Sequence, residues 1–315
     1  MLRATFLGTA SARPTVRRNV SAIAVQREAD LFLFDCGEGT QRQMMRFGVG
    51  FAVRAIFVTH MHADHYLGIT GLLRTMSLQD RQEPLAIWGP PGSGTTLGTL
   101  VELGGDRVGF PVDIGELGPG EGERFDGYAI RAFQTRHTPT SLGYCLDEDE
   151  RLGRFEVERA RELGVPEGPS FGLLHQGEPV ELPDGRVVQP EEVVGSPRPG
   201  RKLVYTGDTG PARSVVEAAR GADLLIHEAT FGNEEKKRAR KTGHATAEEA
   251  AQTAERAGVL ELVLTHLSAR YSETPERLEE EARAVFRRCR VAHDGLVVQV
   301  PLRAASLAEK ALGGE

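Results

Sequence analysis

The chain reads as an α/β protein, because short apolar, β-branched runs bounded by glycine and aspartate alternate with amphipathic stretches along most of its length. With 315 residues and 40% hydrophobic content it can bury a large core as one domain spanning residues 1–315. Strands are expected at residues 2–7, 22–26, 31–34, 55–58, 85–88, 128–135, 142–146, 202–206, 224–227, 262–265 and 296–300. Gly89-Pro90-Pro91-Gly92-Ser93-Gly94 lacks the Lys-Ser/Thr ending of a nucleotide loop and reads as a strand-to-helix turn. Helices are clearest late in the chain. Thr246-Ala247-Glu248-Glu249 is a capping box opening a helix to about Ala257, and Thr274-Pro275 pairs an N-cap with proline at the first helical position. Between about 147 and 200 the pattern breaks: a charged helical stretch, 149–163, is followed by a segment rich in proline and glycine, which reads as an insertion and not a linker.

The chemistry concentrates at His60-Met61-His62-Ala63-Asp64-His65, directly after the strand-like Ala55-Ile56-Phe57-Val58. Neutral imidazole nitrogen and carboxylate oxygen suit Zn²⁺, and ligands alternating along an extended turn can be shared by two ions about 3.5–4 Å apart. Asp64 among the histidines argues against a solvated His-rich tract. Further donors stand where other strands are expected to stop: His137 after 128–135, Asp208 after 202–206 and His266 after 262–265. Residues at strand ends converge on one sheet edge and are held by rigid elements.

The His-x-His-x-Asp-His element from His60 to His65 resembles the hallmark of the metallo-β-lactamase superfamily. Four other stretches, Asp35–Gln41, His227–Thr230, Gly243–Thr246 and Thr265–Tyr271, are similar to the ribonuclease Z family within it. The resemblance implies an αββα four-layer sandwich with two zinc ions at its edge, His60, His62 and His137 binding one, Asp64, His65 and His266 the other, and Asp208 bridging. Mn²⁺ suits similar oxygen and nitrogen donors. It implies a homodimeric endoribonuclease that removes the 3′ trailer from tRNA precursors, with Asp64 orienting and deprotonating the attacking water and His244 protonating the departing ribose 3′ oxygen. Glu228 is expected to orient an imidazole, which one being open. The insertion at about 147–200 resembles the protruding arm that clamps the tRNA body. A small-substrate hydrolase of the superfamily, such as a cyclic-nucleotide phosphodiesterase or a lactonase, is the alternative.

A formal net charge of −7 gives no global attraction to nucleic acid, but phosphate binding depends on local potential. Two basic patches stand out: Arg13, Arg17 and Arg18 after the first strand, and Lys236, Lys237, Arg238, Arg240 and Lys241 just before His244. Arg17 and Arg18 lie in a loop, Pro14–Asn19, resembling a family loop Pro-x-Lys/Arg-x-Arg-Asn that handles the tRNA 3′ end. Val16 stands at its first basic position. Arg270 is a further candidate for holding a phosphate oxygen through its planar fork. The sparse cysteines, Cys36, Cys145 and Cys289, read as reduced thiols, and the absence of a signal peptide or membrane-length apolar run points to the cytoplasm and away from a membrane.

Overall fold

The computed structural model describes residues 1–104 and 107–303. The chain separates into two compact units, Met1–Asp147 with Arg201–Pro301, and a second formed chiefly by Glu148–Gly200.

In the first unit, β1 (Leu2–Gly8), β2 (Ala22–Arg27), β3 (Asp30–Phe34), β4 (Val53–Phe57), β5 (Leu85–Gly89) and β6 (Val112–Glu116) build one sheet. The other contains β7 (Gly122–Phe125), β8 (Tyr128–Gln134) and β9 (Leu142–Glu148). After β10 (Val180–Glu181) and β11 (Val187–Val188) of the second unit, it continues with β12 (Lys202–Tyr205), β13 (Leu224–Glu228), β14 (Leu262–Thr265) and β15 (Cys289–Val291). The last strand, β16 (Val297–Gln299), returns to the edge of the first sheet, in the order β16-β1-β2-β3-β4-β5-β6, against β15-β14-β13-β12-β9-β8-β7 in the second.

Period-two alternation explains the layering. Ala55 and Phe57 of β4, Leu224 and Ile226 of β13, and Val263 of β14 meet in one core between the sheets. Their neighbours Ile56 and Val58 turn to α1 (Thr40–Arg46), α3 (Ile69–Leu78) and α4 (Gly94–Glu102), which follow the one-turn α2 (Ala63–Tyr66) in part. On the opposite side Leu225, Leu262 and Leu264 pack in a core with residues of three helices that lie, in chain order, beyond α5 (Val157–Glu162) and α6 (Pro169–His175) of the second unit. Those are α7 (Arg213–Ala219), and, past α8 (Lys236–Thr242), α9 (Ala247–Ala257) and α10 (Glu276–Arg283). The result is an αββα sandwich. Strands buried on both faces explain the unbroken apolar runs of β12, β13 and β14, whose mutual pairing is parallel. Aromatic rings bridge the inner faces, Phe34 stacking on Tyr205 with centroids 6.0 Å apart and Phe57 meeting Tyr144 at 5.2 Å.

The capping box is formed: Glu249 N–H donates to Thr246 Oγ1 at 3.2 Å, Thr246 N–H donates to Glu249 Oε2 at 3.1 Å, and α9 stops at Gly258 with φ 64°. Its buried face is mostly alanine, from Ala247 to Ala257, with Glu249 and Thr253 the other buried residues, which lets the helix backbone lie close against the sheet. The 89–94 stretch joins β5 to α4 as a turn. The second unit has its own small core, including Leu174, Val180, Leu182 and Val193, and its helical content departs from the expected 149–163. Arg151 and Phe155 pair in bridges with Arg198 and Val194, so the chain is extended there and α5 begins only at Val157. Cys36 and Cys289 are buried, and all three cysteines are free thiols. Among the described residues, no helix is long and apolar enough to cross a membrane.

Candidate metal centre

The parallel pairings of β3 with β4 and of β12, β13 and β14 align strand ends, and the chemistry stands just past them. Asp35 follows β3, His60 follows β4, His137 follows β8, Asp208 follows β12, and His266 follows β14. The one-turn α2, which carries Asp64 and His65, is pressed against the turn after β3. A Cβ on Gly68 would lie 2.0 Å from the Gly37 carbonyl oxygen, and one on Gly37 would lie 2.3 Å from the Asp64 carbonyl oxygen, so only glycine permits this approach.

Two groups of donors result. His60 Nδ1 lies 3.1 Å from Thr59 Oγ1, and His137 Nδ1 lies 3.1 Å from the Gly243 carbonyl oxygen. Donation from Nδ1 in each ring leaves a lone pair on Nε2. Those two Nε2 atoms face His62 Nδ1 at 2.9 and 3.1 Å. Burial holds the His60 and His137 imidazoles below their usual range and so keeps them neutral. Neutral ring nitrogens crowded in this way suit a cation placed among them.

The second group contains His65, His266 and Asp64. Asp64 Oδ2 is 3.4 Å from Nε2 of both histidines, and Asp208 Oδ1 is 3.5 Å from His65 Nε2 and 3.2 Å from His266 Nε2. Asp208 Oδ2 is 3.7 Å from Nε2 of His60 and of His137, so one carboxylate faces both groups. Burial opposes ionisation of Asp64 and Asp208, but the surrounding imidazoles outweigh it and hold both carboxyls well below the usual range. His65 Nε2 and Asp208 Oδ1 are buried without a hydrogen-bond partner. Leaving such atoms unsatisfied costs about 1–3 kcal/mol each, and a divalent cation would take both. The donor set therefore fits a divalent metal.

Two buried carboxylates brace this arrangement. Asp35 Oδ2 accepts from His65 Nδ1 at 2.7 Å and from the Tyr205 hydroxyl at 2.8 Å, while Oδ1 accepts from Thr59 N–H at 2.8 Å. Glu228 Oε1 accepts from His244 Nδ1 at 2.7 Å and from Thr209 N–H at 3.0 Å. Its Oε2 accepts from the Thr230 hydroxyl at 2.7 Å, and Thr230 Oγ1 lies 2.9 Å from His266 Nδ1. Glu228 thus orients His244 directly and His266 through Thr230. Burial works against a charge on His244, but the Glu228 carboxylate and its hydrogen bond more than reverse this and raise the imidazole to about 9. A cation held against Asp208, 3.9 Å from His244 Nδ1, would act in the opposite sense.

A cavity of about 360 Å³ opens over the centre, lined by His62, Asp64, His137, Asp208, His244 and His266 together with Phe231, Arg238 and Arg270. Arg270 is paired with Glu235. Arg17 is exposed and 3.2 Å from Glu273. Arg18, the other basic residue of the Pro14–Asn19 loop, is buried where Arg17 is exposed. It is only 6% exposed, and its Nη1 donates to Thr9 Oγ1 at 2.7 Å and to the Ala292 carbonyl at 2.6 Å, which occupies its fork inside the protein. Asp35 and Thr230 are the braces that reading the sequence passes over. Asp35 shares the strand-end signal of His137 and Asp208, and both braces lie in stretches that carry the family resemblance, Asp35–Gln41 and His227–Thr230, without a role read for either.

Residues 2–152 match the family described as anti-Pycsar protein Apyc1, and residues 185–267 match the β-lactamase superfamily domain. Ribonuclease Z of Myxococcus xanthus is 53% identical over 304 residues, 96% of this chain and 99% of its own. Ribonuclease Z of Haloferax volcanii is 56% identical over 302 residues, 95% of each chain. Among solved structures, the short form of human tRNase Z superposes with a TM-score of 0.70 at 27% identity, covering 95% of this chain and 100% of that one.

Proposed function

Since the chain belongs to the ribonuclease Z family of the metallo-β-lactamase superfamily, we propose that it is an endoribonuclease that removes the 3′ trailer from tRNA precursors and leaves a 3′-hydroxyl on the tRNA. One observation carries the reading at the level of chemistry: Asp208 faces two donor groups, and His244, which clusters with Asp208 and His266, stands beside them in the lining of an open cavity. In this reading His60, His62 and His137 would hold one zinc ion and Asp64, His65 and His266 a second, with the Asp208 carboxylate facing both groups. Bound zinc acidifies water and offsets the negative charge of the phosphate.

The chain's own residues do the rest. Asp64 offers one oxygen towards His65 and His266, and the carboxylate orients the attacking water and takes its proton. With Nδ1 engaged by Glu228, His244 has Nε2 to deliver a proton to the departing 3′ oxygen, a poor leaving group without one. Arg17 and Arg270 meet phosphates of the RNA, and the 148–200 unit binds the tRNA body. A homodimer in the cytoplasm accords with the family resemblance.

The test is cleavage of an end-labelled, 3′-extended tRNA precursor by the zinc-loaded protein, with products mapped to the nucleotide. A single cut beside the discriminator nucleotide is expected, lost on chelation and reduced about 10²–10⁴-fold in kcat by Asp64→Ala. Hydrolysis of a small phosphodiester without any cut in the precursor would instead favour the small-substrate hydrolase. Removal of the second unit adds an independent check. Asp147 and Lys202 stand opposite one another in the β9–β12 pairing, so a short turn can close that hairpin in place of the unit. Precursor cleavage should then fall steeply while a small phosphodiester is still hydrolysed. Equal loss on both substrates would count against tRNA binding by the unit.

A further inference from the structure

The lining of the cavity includes two permanently charged cations, Arg238 and Arg270. The charge of Arg270 is met by Glu235, whereas Arg238 has no carboxylate partner among the described residues. Both guanidinium groups lie over the ring of Phe231, at 6.0 Å for Arg238 and 5.5 Å for Arg270. That ring is only 5% exposed, and its centroid is 6.0 Å from that of His244. The helix carrying Arg238 is also tied to the site, because His244 N–H donates to the Ala239 carbonyl at 2.9 Å. Within the basic run, Lys236 approaches Glu249 at 3.7 Å, and Lys237, Arg240 and Lys241 do not line the cavity. Arg238 is therefore the unneutralised cation held beside the reacting end of the site, on an aromatic platform that limits its freedom.

The position has a direction along the RNA. Hydrolysis that leaves a 3′-hydroxyl on the tRNA makes the tRNA 3′ oxygen the leaving group, so the residue that protonates it stands on the tRNA side of the scissile phosphate. Phe231 is in ring contact with His244, and Arg238 lies over Phe231 on the helix bonded to His244 through Ala239, so in that reading both neighbour the acid on the tRNA side. We propose that Arg238 is a substrate-positioning residue that grips the phosphate next to the cut on its 5′ side, within the tRNA body, with Phe231 holding its guanidinium in place. This rests on the tRNA-processing reading and on the role given there to His244.

Precursor cleavage by the unsubstituted protein, Arg238→Gln and Arg238→Lys, measured across a series of salt concentrations, tests it. For Arg238→Gln, KM should rise about five- to tenfold with kcat within about twofold, and the steepness of the salt dependence should fall by about one. Mature tRNA should inhibit that variant more weakly by a similar factor, while a 5′-phosphorylated trailer oligonucleotide inhibits it as before. Arg238→Lys should restore the salt dependence. Unchanged KM and salt dependence in Arg238→Gln would overturn the assignment alone, as would a loss confined to trailer inhibition. Failure of the unsubstituted protein to cut any precursor would overturn this assignment together with the reading beneath it.

Discussion

Asp35→Ala is expected to weaken metal binding about 10–100-fold and to lower the stability of the metal-free protein by about 3–5 kcal/mol. The carboxylate is fully buried, and every group it holds is buried too. Removing it leaves Thr59 N–H, the Tyr205 hydroxyl and His65 Nδ1 without their acceptor, in a region where water cannot replace it. The His65 imidazole suffers most. Burial alone would lower its pKa, but Asp35 and Asp208 together hold it well above the usual range, and the Asp35 bond keeps the proton on Nδ1 so that Nε2 faces the centre. Without that bond the ring is free to change tautomer and to turn. Asp35→Asn separates the effects. Asp35 sits at φ 58°, a left-handed position that asparagine tolerates better than most residues, so the backbone should hold. The lost charge and the replacement of one acceptor oxygen by an amide nitrogen should still weaken metal binding. Urea unfolding of the chelated proteins and competition with a chromophoric chelator measure the two quantities. Metal affinity within about threefold of the unsubstituted protein in both variants would show that His65 needs no such brace.

Asp35 also marks how far a sequence can be read in this fold. The donors His60, His62, Asp64, His65, His137, Asp208 and His266 are legible because each follows a run whose hydrophobicity announces a strand, and strand ends meet at an edge whatever the sheet order. Asp35 follows such a run as well, yet its value lies in bonds to His65, 30 residues on, and Tyr205, 170 residues away, which no local pattern carries. The burial of Arg18 is illegible for the same reason. Its burial depends on Thr9 and on the backbone at Ala292, contributed by opposite ends of the chain. In the first part of 149–163, before α5 begins at Val157, helix propensity is overruled by bridges from Arg151 and Phe155 to Arg198 and Val194, where tertiary pairing outweighs it. The strands missed outside the 148–200 unit, β6, β7 and β15, are short edge or near-edge elements. Asp113, Ile114 and Glu116 of β6 are all exposed, so neither an apolar run nor a clean alternation marks it.

Glu228→Gln should lower kcat for precursor cleavage about 10²–10³-fold while changing the fold little. The substitution keeps the volume but not the acceptors. Oε1 takes two N–H donors, from Thr209 and His244, and Oε2 takes the Thr230 N–H and hydroxyl, so a glutamine amide set either way points its own NH₂ at a buried donor. The Thr230 hydroxyl, if turned to relieve that clash, no longer accepts from His266, and the disturbance reaches the donor groups. The pH dependence distinguishes this from a merely structural loss. Glu228 raises the His244 pKa, so in its presence the imidazole keeps its proton to higher pH and remains an acid there. Removing the carboxylate charge lowers that pKa, and the alkaline limb of the kcat profile should therefore move to lower pH. Glu228→Asp, which retains the charge on a shorter stem, should leave the limb closer to its original place even if kcat suffers from geometry. A fall in kcat with the alkaline limb unmoved in Glu228→Gln would mean that Glu228 positions its neighbours without setting the protonation of the acid.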